Sequence, residues 1–274
     1  MYGYGNSMFL ATHGILARSA SGGGVDPDAQ AFITAASITD PTQQSAINTL
    51  VLDLKGYSIW TKFKAIYPIV GGTAATHKWN LKDPRDLDAA FRLTFATGWT
   101  HSANGMLPNG ASAYADTYLV PSTNLVTDNH VSIYLNTLFT TGTAPYNIGA
   151  YNSETQAMAI RAMGNFDNFS RTYNYSAIDV ANTIGNTAGF WLNNIISPNH
   201  RQLRNNVLRS SATKTGTVPT QKVYLGALNF NGAANFFSNQ RIALSTIGDN
   251  LTATEEGNLY TAVQAYQTTL SRQV

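Results

Sequence analysis

Between residues 66 and 248 the chain is cut into about ten short apolar-rich runs, each closed by Gly, Pro, Asn, Asp or Ser within roughly eight to fifteen positions. Among them are "AIYPIVGG", "AAFRLTFATGW", "HVSIYLNTLF", "KVYLGALNF" and "FFSNQRIALSTIG". Such spacing leaves no room for long helices and predicts an all-β sandwich or jelly roll. In "HVSIYLNTLF", Val131, Ile133, Leu135 and Thr137 alternate with Ser132, Tyr134 and Asn136. That period of two predicts a half-buried strand.

Helical signals flank this region. Asp26 before Pro27 and Asp40 before Pro41 each pair a capping side chain with a proline suited to the first helical position. The second of these helices has an apolar face of Ala46, Ile47, Leu50, Val51, Leu52 and Leu54 and a stop at Gly56. The pair is expected to cover one edge of the larger domain. At the other end, Thr252 and Glu255 form a capping box ahead of a stripe of Leu259, Val263, Ala265, Tyr266 and Leu270.

Charge and cysteine content narrow the chemistry. With 17 basic and 15 acidic residues, a net charge of +2 and no cysteine, nucleic-acid binding, disulfides, thiolate metal sites and thiol catalysis are not expected. No apolar run reaches the roughly 20 residues of a membrane-spanning helix. Polarity is carried largely by 26 Asn and 32 Thr, residues that suit turns and pleats.

The segment Lys222 to Val274, together with "TLVLDLKGYSIWTKFKAIYPIVGGTAATHKWNLKDPRDLDAAFRLTF", resembles the concanavalin A-like, laminin G-like jelly roll of virion proteins of tailed phages, including crAss-like phages, over roughly residues 26 to 274. The matching residues are Leu225, Gly226, Asn229 to Asn231, and Ile247 to Thr252, with Asn250 where glycine is expected. The resemblance implies a mainly β, concanavalin A-like jelly-roll sandwich with a short helical N-terminal lead-in (25–65), a jelly-roll domain (66–274) and a C-terminal helix. It also implies a non-enzymatic head or tail fibre or decoration protein of the virion, assembled in the host cytoplasm. Residues 1–24 are read as an attachment segment that docks on other virion proteins through Tyr2, Tyr4, Phe9 and Leu10. A homo-oligomer, with a trimer favoured, is expected, and host-surface glycans are the expected ligands. The alternative reading is a secreted bacterial carbohydrate-binding protein or glycoside hydrolase.

A jelly-roll glycosidase needs two carboxylates facing one cleft. Asp86 and Asp88 have alternate spacing, yet Pro84 precedes them and the few glutamates, Glu154, Glu255 and Glu256, lie elsewhere in the sequence. A structural turn is expected, with Asp83 or Asp86 on backbone amides, Arg85 or Arg92 pairing locally, and Trp79 and Phe91 in the core. His13, His77, His101, His130 and His200 are scattered, without metal-site spacing, and are read as turn or surface residues. No cofactor is expected, and calcium on Asp83 or Asp86 is the only metal considered. "GGTAATHK" is glycine-rich but lacks a phosphate-loop ending, and no helix is expected after it. The candidate carbohydrate-binding residues are aromatics and amides of two loops: Trp99, His101 and Asn104, with Asn109, and Tyr146, Asn147 and Tyr151, with Asn152.

Overall fold

A computed structural model of the chain describes residues 24–139, 145–162, 169–174, 177–181 and 187–274. Two helices lead, α1 (Pro27–Ala35) and α2 (Pro41–Gly56), followed by β1 (Phe63–Tyr67) and the single-turn α3 (Ala74–His77). Next come β2 (Thr94–Phe95), β3 (Trp99–Ser102), β4 (Gly105–Pro108), β5 (Ala115–Asp116), α4 (Pro121–Asn124) and β6 (Asn129–Leu135). The middle of the chain contributes β7 (Ile148–Ser153), β8 (Gln156–Arg161), β9 (Phe169–Asn174), β10 (Ala177–Ala181), β11 (Gly189–Ile196), β12 (Asn199–Arg204) and β13 (Val207–Thr213). It ends with β14 (Tyr224–Leu225), β15 (Leu228–Phe230), β16 (Ala233–Asn235), β17 (Ile242–Asp249) and α5 (Ala253–Thr269).

These strands form two sheets, so the fold is the mainly β sandwich expected, with its helical lead-in and closing helix. The first sheet runs β13-β12-β11-β6-β17-β4-β3, with β1 added beside β17; the second runs β10-β9-β8-β7-β14-β5-β2 and carries the β15–β16 hairpin. Among the described residues every ladder is antiparallel except the short pairing of β15 with β7. Between the sheets lies a core that includes Val131, Ile133, Leu135, Met158, Ile160, Trp191 and Ile247.

The opposite face of the first sheet is also dry. Tyr134, Phe190, Leu192, Leu203 and Leu244 point away from the second sheet and pack with Phe32, Ile47, Leu50, Leu54, Leu259, Val263 and Tyr266 of α1, α2 and α5. Two expectations change here. The helical pair covers a face of the sheet rather than an edge, and β6 is buried at every position rather than on one side. The reason is the same for both: three helices supply an apolar layer that shields Tyr134 and Ser132 as fully as the sandwich shields Val131 and Ile133. The first strand also begins at Phe63, inside the 25–65 segment read as lead-in.

The caps form as predicted. Asp26 and Asp40 accept from Asp28 N–H and Gln43 N–H, and Thr252 with Glu255 forms the reciprocal box at α5. Within the stripes, Leu52 and Ala265 face solvent, and α5 buries Glu256 and Gln267 instead. Glu256 is held by Asn194 Nδ2 at 2.8 Å and by Arg201 at 3.0 and 2.9 Å, so the acidic first turn of α5 is tied to β11 and β12. Arg272, itself buried, donates to the carbonyls of Ile69 and Ala243 and locks the chain end onto the sheet. Among the described residues no helix is long and apolar enough to cross a membrane. Residues Tyr2, Tyr4, Phe9 and Leu10 lie outside the described residues.

Candidate functional site

The two loops picked from the sequence approach each other at Gly226, whose N–H donates to Asn147 O at 2.8 Å and against which the Trp99 ring packs. Trp99 donates from its indole to Tyr114 O at 3.1 Å and packs on the sandwich core as a partly buried residue. Its ring lies so close to Gly226 that a Cβ there would sit 2.6 Å from it. His101 is half buried against Phe95 at 4.8 Å and against His77, and Asn104 occupies an exposed turn where its carbonyl accepts from Asn136. Asn109 spends its side-chain oxygen on backbone N–H groups of its own turn, and Asn152 accepts from Thr220 N–H at 2.8 Å, tying the end of β7 to the stretch before β14.

Tyr146, Asn147 and Tyr151 serve a different device. In β8, Met158 and Ile160 face the sandwich core, so Ala157 and Ala159 face outward. Leu228 of β15 packs on that outward face against Ala157, Ala159 and Tyr146. Gly149 leaves the space for it, since a Cβ would meet Leu228 at 2.7 Å. The segment 226–238 is therefore a hairpin loop that pairs with β7 through Asn229 and Phe230 and lays Leu228 over the outside of the second sheet. Ser238 N–H donates to Gly226 O at 2.8 Å and closes its base. Fully buried Asn147 pins that base, donating to Ser238 Oγ at 3.0 Å and Gln240 Oε1 at 2.9 Å. Its tip is the two-residue turn Asn231–Gly232, both with positive φ, the conformation that suits a tight hairpin.

This loop displays aromatic rings. Phe230 stacks on Tyr151 with centroids 4.8 Å apart and planes 11° from parallel. Phe236 meets Phe230 edge-on at 6.0 Å and Tyr146 edge-on at 5.8 Å. Phe230 and Phe236 are 37% and 42% exposed, high values for rings of this size. Phe236 holds a φ of 56°, a left-handed conformation unusual for an aromatic residue. Arg161 lies 5.9 Å from the Tyr146 ring and supports it from the buried side. Tyr146 is thus a foundation, Tyr151 half of a stacked pair, and Phe230 and Phe236 the displayed surface. The sequence reading missed both phenylalanines, although the Asn231–Gly232 turn between aromatic-bearing strands was a usable hairpin signal.

The charge-dense stretch before β2 folds as ion pairs. Asp83 pairs with Arg85, Asp86 with Lys78 at 2.6 Å and Arg92 at 3.2 Å, and Asp88 with Arg92 at 2.7 Å. The side chains bond one another because three cations lie within reach, and Asp83 also takes the backbone N–H of Arg85, as expected. Hydrogen bonds from Arg85 hold the Asp83 carboxyl below the usual range, as those from Lys78 do for Asp86. Oxygens considered for calcium are engaged by these cations, and among the described residues no group of three or more His, Asp or Glu converges. Trp79 and Phe91 are only partly buried.

Two sequence readings need correction. His77, His130 and His200 are buried, not turn or surface residues. His130 donates from Nδ1 to Asp249 O at 2.6 Å, and its Nε2 lies 3.1 Å from the Thr246 hydroxyl, so it fits the interior as a neutral ring. A helix, α3, does follow the "GGTAATHK" loop, capped by the Thr73 and Thr76 side chains. It is one turn long.

No protein-family model matches this chain, and no curated protein sequence does. Several solved structures are similar in fold. The CBM40 domain of the Ruminococcus gnavus IT-sialidase aligns at TM-score 0.39 and 10% identity over 51% of this chain and 84% of its own. Domain 4 of AbnA, a GH43 extracellular arabinanase from Geobacillus stearothermophilus solved with arabinotriose, aligns at TM-score 0.43 and 13% identity over 73% and 98%. The binding domain of Paraclostridial Mosquitocidal Protein 1 aligns at TM-score 0.49 and 11% identity over 74% and 53%. At these values the likenesses assign no residue and no ligand to this chain, and the two-sheet architecture stands on the strand pairing itself.

Proposed function

We propose that this chain is a non-enzymatic glycan-binding module that holds sugar against Tyr151, Phe230 and Phe236. The observation that carries the reading is the exposed pair of phenylalanines, raised on a loop whose base is fixed by buried Asn147. Apolar C–H faces of sugar rings stack on flat aromatic faces, and a pre-formed platform binds without the cost of ordering a loop. The non-enzymatic half of the reading is supported by Asp86 and Asp88, whose carboxylates are engaged by Lys78 and Arg92 rather than opposed across a cleft. Screening the intact protein on a glycan array tests the binding, with Phe230→Ala/Phe236→Ala as comparison. Binding by the parent that the double variant loses, at unchanged melting temperature, supports it. No binding by the parent, or a double variant that binds every glycan as the parent does, rejects it.

The setting we propose is the surface of a tailed-phage particle, supported by the resemblance carried by Lys222 to Val274. Mass spectrometry of purified particles tests it: the chain's peptides should be present in stoichiometric amount, and their absence would favour the secreted alternative.

A further inference from the structure

A second recess lies away from the aromatic loop, between the turn that precedes β2 and the one-turn helix α4. It is an open depression of about 410 Å³, lined by Asp88, Ala89, Phe91, Tyr118, Val120, Thr123 and Asn124. That volume falls in the range of small-molecule sites. Its two aromatic residues are both left-handed, Phe91 at φ 59° and Tyr118 at φ 58°, a conformation bulky residues rarely adopt. Each is held there by its neighbours. Phe91 O accepts from the Tyr67 hydroxyl at 2.7 Å, while Tyr118 N–H donates to Asp116 at 2.7 Å and its hydroxyl donates to Thr94 at 3.0 Å. Lys222 Nζ lies 4.4 Å over the Tyr118 ring. Residues kept in such conformations by over-determined surroundings concentrate at ligand sites.

The polar groups of the recess complement those rings. Asp88 gives Oδ1 to Arg92, leaving Oδ2 as an acceptor, and Asn124 spends Oδ1 on Val120 N–H at 2.8 Å, leaving its amide N–H groups as donors. The Thr123 hydroxyl is exposed and acts in either sense. Aromatic surface with one carboxylate, one amide and one hydroxyl suits a ligand that is rich in hydroxyl groups and has an apolar face. The cations beside the recess are already paired, Arg92 with Asp86 and Asp88 and Lys222 with Asp116, so they are not free to offset the charge of an acidic ligand, and an uncharged one is favoured. We propose that this recess binds one uncharged sugar ring, as a site independent of the Phe230–Phe236 platform.

The test is amide chemical-shift titration of the full chain with methyl glycosides of glucose, galactose and mannose, and with N-acetylneuraminic acid as the acidic probe. At least one neutral glycoside is expected to shift the amides of Ala89, Tyr118 and Thr123, and the acid at equal concentration is expected to leave them in place. Thr123→Trp, a change at an exposed position that fills the recess, should weaken the neutral sugar by at least about tenfold, and Tyr118→Ala should do the same by removing a wall. Phe230→Ala/Phe236→Ala should leave these shifts intact even if it abolishes glycan binding at the platform. Any of three results overturns the inference: no neutral glycoside moves the recess amides, the acid moves them equally, or the platform variant abolishes the response. Shifts confined to Tyr151, Phe230 and Phe236 would reject the recess while leaving the platform standing.

Discussion

The Nδ1 atoms of His77 and His101 lie 2.9 Å apart, which requires one to carry a proton and the other a lone pair. Gly72 N–H donates to His77 Nε2 at 3.1 Å, so the His77 proton is on Nδ1 and His101 accepts it. Both rings are neutral in this arrangement, and a second proton on either breaks a hydrogen bond. Burial first, and then the His101 and Arg272 neighbours, push His77 down to about 3. Burial likewise pushes His130 down to about 4 and His200 to about 3.

These depressed values fix the sign of a pH dependence. Each folded value lies below the ordinary histidine value of about 6.5, so only the unfolded chain takes up these protons as the solution is acidified. Their stabilisation is complete above about pH 6.5 and is lost progressively as pH falls towards the folded values. Below that point each such histidine should weaken the folding equilibrium by up to about tenfold per pH unit. Urea unfolding at several pH values between neutrality and about pH 5 checks this, and a flat profile would refute it.

Glu256 should be the most costly carboxylate to remove. It is 1% exposed, and its two oxygens face Asn194 and Arg201 across the junction between α5 and the first sheet. Glu256→Ala leaves the Arg201 guanidinium without its bidentate partner. Arg201 is 24% exposed, so water relieves part of the loss and the expected cost is about 3 kcal/mol, the low end for breaking a buried pair. A loss below about 1 kcal/mol in denaturant unfolding would place the pair among surface bridges of little consequence.

What the sequence revealed and what it hid divide by distance along the chain. The caps at Asp26, Asp40 and Thr252 were legible because each acts within three residues. Strand spacing likewise reported the sandwich. The helix stripes reported that the helices pack, but not on what, and so the dry outer face of β6 was hidden. The aromatic platform joins Tyr146 and Tyr151 to residues some eighty positions later, and His77 meets His101 across a turn and a strand edge. No local pattern encodes such meetings.

Gly226 is the joint on which the aromatic loop turns, and its substitution should be felt in two ways. Its φ is 79°, and an added Cβ would lie 2.6 Å from Cη2 of Trp99. Gly226→Ala is expected to cost about 1 to 3 kcal/mol through strain and overpacking, and to weaken glycan binding by displacing the loop base. Trp99→Leu should relieve the steric share, so the glycine substitution costs less in that background. A double-mutant cycle measures this, and additive costs would show that the indole is not what excludes a side chain here.

Asp26 marks where the first helix is anchored. Asp26 caps α1 by accepting from Asp28 N–H at 3.0 Å, takes Lys55 Nζ at 2.7 Å, and donates its own N–H to Asn48 Oδ1 at 2.8 Å. Those bonds close the first helix with groups from residue 26 onward, and the core beneath it begins at Ala29 and Phe32. A chain beginning at Val25 should therefore keep its melting temperature within a degree or two. Under the proposed attachment role of Tyr2, Tyr4, Phe9 and Leu10, the same chain should fail to join its particle or oligomer, since apolar side chains of this size supply most of the gross energy of such docking. Calorimetry reads the first half, and sedimentation with particle incorporation reads the second. A shortened chain that unfolds would place the segment within the core, and one that assembles at normal occupancy would move the attachment surface to the globular part.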